Sequence, residues 1–114
     1  MEWVADFTGI RIPAKSAFTG AANYDANMAL AIPNAELASL GVSHSAVTGA
    51  QMTGYQAFAK TGETLTWEAM STIESNALVR GGMAESMANT TVNQAIQALK
   101  DAGVSGPTRI PWGR

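Results

Sequence analysis

A single histidine, His44, stands between Ser43 and Ser45 in a chain of 114 residues. Imidazole is the side chain that both takes and gives a proton close to neutral pH, so this position is the first candidate for acid–base work or for binding a metal. The plainer alternative for a lone histidine at a helix entrance is a capping or solvent-facing residue. Three carboxylates, Asp6, Asp25 and Glu36, lie in the same half of the chain, dispersed as solvated acids usually are. Other chemistries lack their residues. Gly81-Gly82 follows a helical stretch instead of opening one after a strand, so it reads as a terminator and not as a phosphate loop. The Gly-x-Ser-x-Gly pattern is missing, and no serine has a histidine and a carboxylate at a recognisable spacing. With no cysteine, disulfides and thiolate metal sites are excluded.

The elements that must position these residues change character near residue 34. Before it, Trp3 to Phe7 and Ile10-Arg11-Ile12 alternate apolar and polar side chains at the period of a half-buried strand, with Thr8-Gly9 as a turn between them. Leu30-Ala31-Ile32 is a third short piece, closed by Pro33 as the earlier one is by Pro13. After it the period is helical. Asn34 to Leu40 reads as one or two turns capped by Asn34 and stopped by Gly41. A second helix runs from about Ser45 to Lys60, starting at Ser43 or at the capping-box pattern Thr48 to Gln51. Its apolar stripe is Val47, Met52, Tyr55 and Phe58. A third is capped by Thr66, carries Glu68 in its first turn, and buries Trp67, Met70, Ile73, Ala77 and Leu78. The fourth, about Ala84 to Ala102, buries Met87 or Ala88, then Val92, Ala95, Ile96 and Leu99, and Gly103 stands just past its end. The pattern predicts one α+β domain: strands and loops over 1–47, helices over 48–103 and an irregular Pro-containing tail over 104–114.

Composition bounds the rest. Hydrophobic residues at 46% are enough for one modest core, while charged residues at 14% fall well below the roughly 25% of an average domain. A surface so poor in charge suggests a covering partner or a piece of a longer protein. With 7 Lys and Arg against 9 Asp and Glu, the formal charge of -2 supplies no global basic field for nucleic acid. The longest apolar run, Met28 to Ile32, is too short to cross a bilayer, and Glu2 and Asp6 stand where a signal peptide needs positive charge. A small soluble domain is expected. Trp67 falls in the phase of a core residue, whereas Trp3 and Trp112 are candidate partner anchors.

Three segments together carry a family resemblance: Gly9-Ile-Arg-Ile-Pro-Ala-Lys-Ser-Ala-Phe18, then Asn23-Tyr-Asp-Ala-Asn27-Met-Ala-Leu-Ala-Ile-Pro33, then Gly41-Val-Ser-His44. They resemble the HNH-type nuclease toxins, small ββα-metal domains that include the GHH group and sit at the C-termini of Rhs-like polymorphic secreted toxins. The match covers roughly residues 9 to 60. It implies a short β-hairpin and loop unit with a metal-site helix, followed by two to three packed helices. It further implies a divalent metal (Mg, Mn or Zn) held by His44 with Asp25, and catalytic roles for Asn27, His44 and Arg11. Arg11 and Lys15 would hold the scissile phosphate. Ile10 and Arg11 occupy the family's paired histidine positions. Ile10 can neither bind metal nor take a proton, and a guanidinium stays protonated. Loss of a general base forfeits about 10²- to 10⁴-fold in rate, so the metal-dependent reaction is expected to be weak or absent. A parent secreted polypeptide, delivery into a target cell's cytoplasm and a cognate immunity protein follow from the same resemblance. The alternative from another class is a non-enzymatic interaction or structural domain of a secretion or phage apparatus, docking through Trp3 and the Pro-rich tail.

Overall fold

Glycine and an apolar residue end three of the four helices in the same way. At Gly41, Gly82 and Gly103 the backbone turns to φ of 73°, 120° and 96°. The residue that follows each, Val42, Met83 or Val104, is buried and donates its N–H to the carbonyl five residues back, at 2.8 to 3.0 Å. This is the Schellman closure: the left-handed residue satisfies the last carbonyls and the next side chain folds onto the core. The structure is a computed structural model that describes residues 9–25 and 30–112, together with the backbone of residues 2–3. The strands are β1 (Glu2–Trp3), β2 (Gly9–Arg11) and β3 (Leu30–Pro33), and the helices are α1 (Asn34–Ser39), α2 (His44–Ala59), α3 (Trp67–Gly81) and α4 (Glu85–Asp101).

The chain is α+β, as the change of period predicts. The pairing departs from a local hairpin between the first two strands. β3 lies in the middle, with β1 and β2 each antiparallel to it, and Ile10 stands opposite Ile32. The expected Thr8-Gly9 turn falls partly outside the described residues. Between β2 and β3 the chain makes a 3-10 turn over Lys15–Phe18.

One predicted cap is corrected. Asn34 does not cap α1: Pro33 holds the cap position without a side-chain bond, and the Asn34 amide is engaged with His44. Of the two starts open for α2, Ser43 is the cap and Thr48 to Gln51 lies inside the helix. Thr66 caps α3 as expected, its hydroxyl accepting from the Ala69 N–H at 3.1 Å.

One core joins the sheet to the helices. Ile10, Ile12 and Ile32 meet Leu37, Val47, Met70, Leu78 and Val92, all buried. Phe18 stacks on Tyr24 at 4.7 Å and tilts against the half-buried Trp67 at 5.8 Å. One stripe position of α2 shifts: Met52 is 39% exposed while Gln51 is buried in its stead. Of the two α4 alternatives, Ala88 turns inward and Met87 outward. Among the described residues no helix is long and apolar enough to cross a membrane.

Candidate functional site

Three contacts fix His44, the first residue of α2. The Ser43 N–H donates to the Gly81 carbonyl at 2.9 Å, tying the entrance of α2 to the end of α3. Only glycine allows that approach, because a Cβ at Gly81 would overlap the Val47 side chain. The Ser43 hydroxyl then accepts from the Ala46 N–H at 3.2 Å, satisfying one orphan donor of the first turn. Finally, His44 Nδ1 lies 2.9 Å from Asn34 Oδ1. An amide oxygen only accepts, so Nδ1 carries the proton and the neutral ring keeps its lone pair on Nε2.

His44, Thr48 and Gln51 follow one another up a single face of α2. That face forms one wall of an open groove of about 440 Å³. Among the described residues, Gly9, Ile10 and Arg11 of β2, the segment Ala14 to Ser16, and Trp112 from the tail line the rest of it. The tail reaches the groove because it is clamped to the 3-10 turn. The Thr108 N–H donates to the Ala17 carbonyl at 2.7 Å, and the Thr108 hydroxyl donates to the Thr19 carbonyl at 2.7 Å. Trp112 is 38% exposed, takes a left-handed φ of 56°, and sets its ring 6.2 Å from that of Tyr55. A bulky residue in that conformation is strained by roughly 1 kcal/mol or more, which the tail contacts must offset. Among the described residues the groove's lining holds two cations and an imidazole, on a chain of net negative charge.

Beneath the groove sits a buried carboxylate. Glu74 is 0% exposed and accepts three hydrogen bonds: from the Ala14 N–H at 2.8 Å, Gln51 Nε2 at 2.8 Å and the Tyr55 hydroxyl at 2.6 Å. Its donors therefore come from the loop between Arg11 and Lys15 and from the α2 wall, and they lock the two sides of the groove together. Burial pushes the Glu74 carboxyl above the ordinary carboxylate range, an effect the three donors offset only in part. The Tyr55 hydroxyl is raised as well, first by burial and then by the Glu74 charge.

Of the residues singled out in the sequence, Arg11, Lys15 and His44 come together at this groove. Asp25 is exposed and does not line it, and Asn27 lies outside the described residues. Among the described residues the donor set does not assemble the divalent-metal site that the resemblance implies. One imidazole lines the groove beside two cations, and among the described residues no three His, Asp or Glu side chains converge. A hard divalent ion asks for several oxygen donors, and zinc for three or four ligands.

Glu74, Gln51 and Asn34 were missed as site residues, and Trp112 was named only as a partner anchor. Glu74 could have been seen in the sequence, since it falls four residues after Met70 and four before Leu78, on the apolar phase of α3 where a carboxylate demands partners. A larger cleft, about 920 Å³ between α2 and α3, has Arg80 as its one titratable group among the described lining residues, so the smaller groove is the better site for chemistry. No protein-family model, curated protein or solved structure matches the chain.

Proposed function

We propose that this chain is a nuclease-type domain, of the secreted-toxin kind its sequence resembles, whose groove engages phosphodiesters of single-stranded nucleic acid. The observation that carries this is the convergence of Arg11, Lys15 and an Asn34-anchored His44 with the exposed Trp112 around one open groove. Each part has a task in that chemistry. Arg11 and Lys15 offer charge-assisted hydrogen bonds to phosphate oxygens. Trp112 offers a face on which a base stacks, and stacking tolerates any sequence because every base has such a face. His44 Nε2 is the proton acceptor. The cations in the lining make phosphate binding compatible with an overall acidic chain, because the groove and not the net charge sets the field a phosphate meets there.

Binding tests this directly. Fluorescence anisotropy with a labelled 20-nucleotide single strand should show affinity that falls with salt, and Lys15→Gln and Arg11→Gln should each weaken it and flatten its salt dependence. Equal affinity in wild type and both variants would refute the assignment. A second reading, a docking domain without catalysis, is favoured by the cleft between α2 and α3, where Met52 and Val79 are each 39% exposed. It predicts that Met52→Ser and Val79→Ser abolish partner capture while Lys15→Gln does not. In the toxin reading that partner is the cognate immunity protein.

A further inference from the structure

We infer that the groove cleaves RNA through the substrate's own 2′-hydroxyl, with His44 Nε2 as the base, and not by metal-assisted attack of water. The inference rests on the phosphodiester-binding groove proposed above and names its substrate class and reaction.

Hydrolysis by water asks two things of a site. The nucleophile must be activated and brought in line, and the charge growing on phosphorus must be neutralised. Divalent metals commonly do both. The donor set here suits the second task through Arg11 and Lys15, but it offers a single imidazole for the first and no constellation of metal ligands among the described residues. RNA removes the first difficulty. Its 2′-hydroxyl is already tethered beside the phosphorus, and well-oriented intramolecular nucleophiles reach effective molarities of about 10⁵ to 10⁸ M. One correctly aimed base and two cations then suffice.

The imidazole is set up for that task. Asn34 Oδ1 holds Nδ1–H at 2.9 Å, which fixes the tautomer and the ring plane. Nε2 makes no hydrogen bond among the described residues, and the side chain is exposed. Arg11 remains charged throughout and is suited to the non-bridging oxygens. The bonds balance without an added reactant. The 2′-oxygen loses its proton to His44 Nε2 and forms a bond to phosphorus, the bond from phosphorus to the 5′-oxygen breaks, and that oxygen takes a proton from solvent. His44 then returns its own proton to solvent. The products are a 2′,3′-cyclic phosphate and a 5′-hydroxyl end, and no water is consumed.

The experiment incubates the full chain in EDTA with three labelled 20-nucleotide single strands of one sequence: RNA, DNA, and RNA carrying one 2′-deoxy nucleotide on the 5′ side of the cut. The RNA should be cut to cyclic-phosphate ends, the DNA should stay intact, and the chimera should resist at that position alone. His44→Ala, purified identically and matched to wild type by circular dichroism, should cut about 10²- to 10⁴-fold more slowly while binding RNA within about twofold of wild type. Cleavage that appears only with Mg²⁺, Mn²⁺ or Zn²⁺, equal cutting of DNA, or undiminished cutting by His44→Ala would each overturn the inference. Intact RNA that nevertheless binds in an Arg11- and Lys15-dependent way would overturn the reaction and leave the groove assignment standing. Absence of binding would overturn both.

Discussion

Replacing Tyr55 with Phe removes one oxygen and nothing else from the wall beneath the groove. The ring is fully buried and stays in place, so no cavity opens and Trp112 keeps its aromatic neighbour. What is lost is the 2.6 Å bond to the Glu74 carboxyl. A hydrogen bond to a charged partner contributes roughly 1.5 to 3 kcal/mol and one to a neutral partner roughly 0.5 to 1.5 kcal/mol. The loss therefore depends on whether Glu74 is ionised. The Tyr55 bond lowers the Glu74 pKa, so removing it raises that pKa further above the unfolded value. The sign follows from proton counting: a folded state that binds the proton more tightly than the unfolded state loses stability as pH rises. Tyr55→Phe should thus cost more at pH 8 than at pH 5, about 2 kcal/mol against about 1. Urea unfolding followed by far-ultraviolet circular dichroism measures this. With a slope of about 2 kcal/mol per molar, the midpoint should drop by roughly 1 M at pH 8 and roughly 0.5 M at pH 5. A drop below about 0.2 M at both values, or a larger drop at pH 5, would refute the place given to Glu74.

Three further outcomes follow from the same contacts. Gly81→Ala should destabilise the fold by about 1 to 3 kcal/mol, because the new methyl overlaps the buried Val47 side chain, and calorimetry should show a lowered Tm. The stability of wild type relative to Glu74→Gln should be greatest below about pH 4.5 and decline as pH rises, since burial raises the Glu74 pKa in the folded state; urea midpoints between pH 4 and pH 8 check the slope. Trp112→Ala should weaken single-strand binding by about 1 to 3 kcal/mol, roughly 5- to 150-fold, with little change in salt dependence, because stacking and not charge is removed; anisotropy titrations at two salt concentrations separate the two.

The helices were legible because their boundaries are written locally. Thr66, Gly41, Gly82 and Gly103 act within one turn of themselves, and the 3.6-residue period names all of the buried face of α4 except Thr91, and Met70, Ala77 and Leu78 of α3. The sheet was less so, since putting β3 between β1 and β2 is a long-range choice that strands of two to four residues cannot announce. At the site, Arg11, Lys15 and His44 were found by residue type and by resemblance. The residues that aim and brace them were missed because each breaks a local habit. Asn34 stands where an asparagine usually caps, Gln51 and Glu74 are polar on apolar phases, and Trp112 is placed by backbone bonds between the tail and Ala17.

The most direct measurement of the central claim is a titration of the ¹⁵N-labelled chain with a short single-stranded DNA, which binds but lacks the attacking 2′-hydroxyl, in EDTA, followed by amide, indole and imidazole resonances. The account predicts saturable shifts at the Trp112 indole, the Lys15 amide and the His44 ring, all lining one groove, with Met52, Val79 and Arg80 in the other cleft unmoved. Shifts confined to that other cleft, or none at the His44 ring on saturation, would contradict it.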